Sequence, residues 1–266
     1  MTRAIVLLLV LFISLEPRST KLSTWTLVAM DAKTGDVGVA GASCVPDMHV
    51  DAVAALVPGK GAAAVQAFFD LQNRNRVFEL LRAGQPADAI IRQVSDSKYD
   101  KGFSDRQYGV VTISEATAKV SAFTGKENLD WAGSQQDLSR AVTVQGNILV
   151  GPTVVAEALK AFQTDRDGLN QLWDRLMRGL EAGSAAGGDA RCNNARVKQT
   201  AATAFILVAR GNDRPYAARD LGVTDQGTTD APWLAISIVE KQYGANPIVE
   251  LRLRYDEWRR GHNFYF

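Results

Sequence analysis

The sequence predicts an α+β fold in which β-sheets are covered by helices. Three observations carry this. Strand-like stretches rich in small and β-branched apolar residues follow an apolar leader. Segments with helical periodicity then gather in two clusters, at 74–94 and 152–182. Strong strand patterns recur between and after these clusters, up to Val239, ahead of one last helical stretch. No internal repeat, low-complexity tract or linker divides the chain, which reads as one domain behind its leader.

The elements follow in order. Trp25 to Met30 (WTLVAM) has the composition of a strand, Asp31 to Asp36 (DAKTGD) carries turn chemistry, and Val37 to Ser43 (VGVAGAS) is the returning strand. Ala52 to Val57 and Ala62 to Phe68 read as two more strands across a turn at Pro58 to Gly61. Arg74 to Arg82 sets Val77, Leu80 and Leu81 on one helical face and stops at Gly84. Pro86 suits the first turn of a second helix, with Ala89, Ile90 and Val94 inward. Asp100 to Arg106 is polar and reads as a loop. Tyr108 to Ile113 and Lys119 to Phe123 form a hairpin, and Ala141 to Val150 is a strand interrupted by Gly146. Helices are expected over Pro152 to Phe162 and Leu169 to Ala182, followed by a flexible loop at Ser184 to Ala190 (SAAGGDA). Ala201 to Arg210 and Leu234 to Val239 are the last strands, and Pro247 to Arg260 the final helix.

The composition excludes several function classes. With 46% apolar and 22% charged residues over 266 positions, the chain is long enough to bury a full core. A net charge of +1 without a dense basic run argues against nucleic-acid binding. Arg3 followed by the apolar run Ala4 to Leu15 has the build of a secretory signal, too short for a membrane span and ended by Glu16, Pro17 and Arg18. The mature protein is therefore expected to be exported, with no membrane contact once residues 1–23 are removed. The two cysteines, Cys44 and Cys192, then either form a disulfide or sit as two separate buried thiols; spacing does not decide between them.

The chemistry centres on Thr24. A hydroxyl residue at the head of a hairpin, close behind a removable leader, is what an N-terminal nucleophile hydrolase requires. Such an enzyme uses its first residue as nucleophile and that residue's own amine as base, so no histidine is needed. The chain has only two histidines, His49 and His262. Ser23 is the fallback nucleophile, and Thr26 is expected on the other strand face or buried.

Several pieces in order resemble the DUF1028 family, a group classed with the N-terminal nucleophile hydrolases. They are TWTLVAMD from Thr24, DVGVAGAS from Asp36, AVQAF from Ala64, AFTG from Ala122, WAG from Trp131, AVTVQGNILVGPTVV from Ala141, LEAGSAAGGDAR from Leu180 and the terminal FYF. The resemblance implies a four-layer α/β/β/α sandwich and gives no substrate. Family members that begin Met-Thr expose the threonine by losing methionine; here export processing would have to expose Thr24.

Other candidate residues follow from their chemistry. Asn147 can donate into an oxyanion hole, and Gln145 and Gly146 beside it can line a ligand site or form a bulge. Thr124 and Gly125 repeat that idea. Asp189 can hold an ammonium and Arg191 a carboxylate, or the two can pair with each other. Gln66 is a strand-borne amide that can face the same pocket. Cys44, Asp47, His49 and Asp51 mix soft and hard ligands within eight positions. A metal site or a Cys–His nucleophile pair is conceivable there, but the spacing fits no zinc signature and a polar loop is the better reading. No phosphate loop or dinucleotide fingerprint is present, and no cofactor or metal is expected. The resulting expectation is an exported amidohydrolase acting on a small-molecule or peptide substrate. The alternative is a non-catalytic exported binding module on the same scaffold, for cell-wall peptides or a protein partner. Homo-oligomerisation is left open.

Overall fold

A computed structural model describes residues 20–22, 24–114, 117–194, 196, 199–218, 231–240 and 244–262. The stretch Arg3 to Leu15 that reads as a secretory signal, Ser23 and the terminal FYF lie outside the described residues. The fold is mixed α+β, with two antiparallel sheets and five helices among the described residues.

The hairpin expected behind the leader is present with the expected bounds. Strand β2 (Trp25–Met30) pairs with β3 (Val37–Ser43) in the register Trp25↔Ala42 to Met30↔Val37. A short strand, β1 (Thr20–Leu22), precedes it in the other sheet. The stretch expected as a strand from Ala52 starts instead as a 3-10 turn over Val50–Val53, and only Ala54–Val57 forms β4. It pairs with β5 (Gly61–Phe69).

Asp70 caps α1 (Leu71–Arg82), its carboxylate accepting from the backbone N–H groups of Gln72 and Asn73 at 2.7 and 3.3 Å. Pro86 stands immediately before α2 (Ala87–Val94), where Ala87, Ile90, Ile91 and Val94 turn inward and Ala89 is only half-buried. Next come β6 (Arg106–Ser114), β7 (Thr117–Thr124), β8 (Gly133–Asp137) and β9 (Val142–Gly146). Helices α3 (Thr153–Gln163) and α4 (Leu172–Ala185) follow. The expected flexible loop thus begins inside α4, which holds Ser184 and Ala185. Strands β10 (Thr203–Ala209), β11 (Tyr216–Ala217) and β12 (Leu234–Val239) precede α5 (Pro247–Gly261). Helix α5 has Pro247 at its start and an Asn246 cap bonded to the Ile248 N–H at 3.1 Å.

The first sheet runs β11-β4-β5-β6-β7, with β1 added against β5; the second runs β12-β10-β3-β2-β9-β8. Three apolar clusters fix how these parts stack. Val77, Leu80 and Leu81 of α1 and Ile90 and Val94 of α2 pack on Ala63, Val65 and Val110 of the first sheet. Leu27, Val144 and Ile206 of the second sheet pack on Val155 and Phe162 of α3, Leu176 and Leu180 of α4, and Leu251 of α5. Between the sheets, Val28, Val39 and Leu207 meet Leu56, Ala62 and Val111. Strand periodicity explains the division on β2: Leu27 and Ala29 face helices, while Thr26, Val28 and Met30 face the first sheet. Thr26 is fully buried, one of the two outcomes expected of it, and it faces the first sheet, where its hydroxyl reaches Gln66 on β5. No helix among the described residues is long and apolar enough to cross a membrane.

Candidate functional site

The layer between the sheets is apolar at the Met30 end and polar at the Thr24 end. Gln66 on β5, Gln107 on β6, Thr26 on β2, and Thr143 and Gln145 on β9 all point into it, and all are buried. Asn147, just past β9, joins them at 2% exposure. So much buried amide is tolerated only where donors and acceptors match, and here they do. Gln66 Nε2 donates to the Thr24 carbonyl at 3.0 Å and to Gln107 Oε1 at 2.8 Å. Its Oε1 accepts from Thr26 Oγ1 at 2.6 Å. Gln145 Nε2 donates to Thr26 Oγ1 at 2.5 Å and its Oε1 accepts from Thr143 Oγ1 at 3.0 Å. Asn147 Nδ2 donates to Gln107 Oε1 at 3.0 Å, and the Asn147 backbone N–H to the Thr24 carbonyl at 3.3 Å.

Gln107 is the hub. Its oxygen accepts from both Gln66 and Asn147, and its Nε2 donates to Thr124 Oγ1 at 2.9 Å and to the Gly146 and Gly133 carbonyls at 2.8 and 3.3 Å. It was missed in the sequence because the strand was expected to start at Tyr108. The period-two series Gln107, Gly109, Val111 would have found it. Gly109 belongs to the same arrangement, since a Cβ there would lie 2.1 Å from Gln145 Oε1. Only glycine on β6 lets the Gln145 amide cross the gap. Gln107→Leu is expected to lower unfolding free energy by about 3 kcal/mol, because it removes from a buried space the acceptor that Gln66 Nε2 and Asn147 Nδ2 share and the donor that Thr124 Oγ1 and the Gly146 carbonyl receive. Chemical denaturation measures this, and a change near zero would mean the network does not stabilise the fold.

Thr24 itself is fully buried, and its Oγ1 has no hydrogen-bond partner among the described residues. The carbonyl of the same residue is held by Gln66 and Asn147, so the residue is fixed while its hydroxyl stays uncommitted.

The remaining sequence candidates sort by position. Thr124 reaches the network through Gln107, whereas Gly125 lies against the Ser104 carbonyl, where a Cβ would come within 2.2 Å. Gly146 admits the Leu149 side chain and the Trp25 Cβ; the close neighbours are the protein's own. Asp189 is buried and sits beside the Thr24 end of the second sheet: its Oδ2 accepts from the Cys44 N–H at 3.0 Å, and Cys44 is two residues past Ala42, the partner of Trp25. Arg191 grips both Asp189 oxygens, through Nε at 3.1 Å and Nη2 at 2.8 Å. The two therefore pair with each other, with the carboxylate buried rather than solvated.

The Cys44 to Asp51 stretch does not supply a nucleophile pair. Cys44 is bonded to Cys192, so no thiol is present. Among the described residues no group of three or more His, Cys, Asp or Glu is placed to hold a metal. Asp51 is buried and accepts from Ser237 Oγ at 2.6 Å. Burial pushes its carboxyl above the ordinary range. The raised folded value means that the neutral form is favoured in the fold. Its stabilising contribution is present below the unfolded value and is lost as pH rises through the folded one. Asp51→Asn is expected to melt higher than wild type near neutral pH, with the gap closing as pH falls into the carboxylate range. Thermal melts across that range check it, and a constant gap would contradict it.

Comparison with known proteins places this arrangement in context. The model of a family of unknown function, DUF1028, matches residues 24–231. The chain is also similar to protein SPO2555 from Silicibacter pomeroyi, a crystal structure assigned to the same family. The two share 22% identity and a TM-score of 0.64, over 90% of this chain and 89% of that one. No curated protein matches.

Proposed function

The chain belongs to the DUF1028 family of unknown function, and on that premise we propose that it is an exported hydrolase of the N-terminal nucleophile type. In this reading the leader covers residues 1–23, and one domain of the four-layer α/β/β/α kind runs from Thr24 to Phe266. The substrate is a small or peptide-like molecule carrying an amide bond. The observation that carries the reading is Thr24 itself: its carbonyl is held by Gln66 and Asn147, while its buried hydroxyl has no hydrogen-bond partner among the described residues. Two facts support it: the family match begins at Thr24, and the Cys44–Cys192 disulfide is compatible with export.

The reaction follows from what an exposed N-terminal threonine can do. Once the leader is gone, the Thr24 nitrogen is an amine instead of an amide. It takes the hydroxyl proton as Oγ1 adds to the substrate carbonyl. The tetrahedral oxyanion is held by Asn147 Nδ2 and neighbouring backbone N–H groups. The carbon–nitrogen bond breaks, and the amine leaves with the proton from the Thr24 ammonium. Water, deprotonated by the same amine, releases the acyl ester as a carboxylate. Gln107 fixes the Asn147 amide, and Asp189 with Arg191 forms the wall at the end of β3.

The test is the N-terminus of the exported protein, read by Edman degradation and intact mass. Thr24 as first residue is the expected result. Exported protein that keeps residues ahead of Thr24 throughout would overturn the assignment, because an acylated nitrogen cannot act as base.

A further inference from the structure

Residues 20–22 do not trail away from the fold. They form β1, which pairs antiparallel with the end of β5 in the register Thr20↔Phe69, Lys21↔Phe68, Leu22↔Ala67. On that side of β5, β4 pairs only up to Ala64, so β1 fills the edge that β4 leaves open. The chain then crosses to the second sheet within two residues, since Trp25 already pairs with Ala42. Thr24 lies in that crossing. The edge is also locally bent: Ala67 has φ +71, and the strand changes phase there. Ala62 and Ala64 face the inter-sheet layer, but so does Phe69, an odd number of residues further on. A non-glycine residue with positive φ is a strained feature that the surrounding structure must hold in place, and such bulges re-aim a strand next to functional sites.

We propose that the edge of β5 at Ala67–Phe69 is the binding slot for the acyl side of the substrate, which is an extended peptide chain. This rests on the hydrolase reading of Thr24. The leader is joined through its last carbonyl to the Thr24 nitrogen. An acyl group carried on Thr24 Oγ1 starts from the same residue, one short side chain away, and can run along the same edge in the same direction. When the leader leaves, this edge loses its pairing with Thr20–Leu22 while the Phe68 carbonyl keeps the Arg106 guanidinium, and an added strand is what satisfies the main-chain groups so released. Main-chain pairing then supplies affinity with little demand on side-chain identity, which suits a peptide rather than a compact amide.

The chain beginning at Thr24 keeps every member of the three apolar clusters, the first of which is Trp25. It is made with Thr24→Ala, so that bound peptide is not turned over, and titrated with acetylated Ser-Thr-Lys-Leu-Ser, the sequence of residues 19–23. Saturable binding is expected, with the amide signals of Ala67–Phe69 among the most shifted, and at least tenfold weaker binding to the full chain, whose own leader fills the slot. Successive N–H groups of an antiparallel strand point alternately to the partner and away. N-methylation at Lys21 or at Leu22 of the peptide should therefore weaken binding at least tenfold at one position and leave the other unchanged. Absence of saturable binding, equal binding to both forms, or indifference to both methyl groups would overturn the slot. If the shortened chain does not give a cooperative melt, the full chain carrying Leu22→Pro replaces it and is expected to bind the peptide more tightly than the wild-type full chain; equal binding overturns the slot. Thr24-dependent hydrolysis of small amides without peptide binding removes the slot and leaves the hydrolase. Peptide binding without hydrolysis of any substrate does the reverse.

Discussion

Thr24→Ala in the processed chain is expected to lower hydrolysis by several orders of magnitude while barely moving the melting temperature. Removing a nucleophile that acts with its own base costs on the order of 10⁴-fold or more in rate. The small effect on stability follows from the burial facts. The Thr24 hydroxyl has no hydrogen-bond partner among the described residues, so the substitution breaks no bond there and removes a polar group whose burial is unfavourable, which offsets the loss of the buried Cγ2 methyl. A second arm isolates the amine. With leader residues still attached, the Thr24 nitrogen is a neutral amide, and this form should be inactive although its hydroxyl is intact. Asn147→Ala should cost less, roughly a hundredfold if it is one oxyanion donor. The substrate must first be found by screening acylated amino acids, small amides and cell-wall peptides. If a substrate is found and Thr24→Ala processes it at the wild-type rate, the nucleophile assignment is wrong.

The parts of this fold that could be read from the sequence are those where apolar periodicity is uninterrupted. β2 and β3 were expected at their observed bounds because their residues are buried on both faces and run almost continuously apolar. β8 (GSQQD) was missed: it is an edge strand with exposed polar residues, formed by pairing with β9 rather than by its own composition. β1 and β11 were missed because strands of three and two residues carry no pattern. The site was half legible. Thr24, Gln66, Gln145 and Asn147 stood out by residue type and position, and the structure brings all four together. Gln107 did not, because a glutamine beside a polar loop signals burial only when its strand partner is known; for Thr26, burial was one of two expected outcomes. The pairing of Cys44 with Cys192 was equally out of reach, since it depends on β3 ending against the loop that follows α4.

That disulfide is expected to have the second large effect. It joins positions 148 residues apart, with Cα atoms 5.6 Å from one another. Closing a loop of that length in the unfolded chain corresponds to about 5 kcal/mol in the chain-entropy view, and removal of native disulfides usually costs somewhat less. The double substitution Cys44→Ala with Cys192→Ala should therefore lower the melting temperature by roughly 10 °C for a chain of this size. The effect should also reach the site. Cys44 donates its N–H to Asp189 Oδ2, and Cys192 donates its own to the Asp189 carbonyl at 3.1 Å, so the bond clamps the buried carboxylate to the end of β3 beside Thr24. Without the cross-link, the turn bearing Asp189 and Arg191 is expected to exchange its amide hydrogens faster than the β2–β3 hairpin does. Thermal melts with and without reductant, paired with hydrogen exchange, measure both consequences. A melting temperature within about 2 °C of wild type would show that the cross-link adds little to a loop already held by Asp189, and unchanged exchange at that turn would show that the clamp does not depend on it.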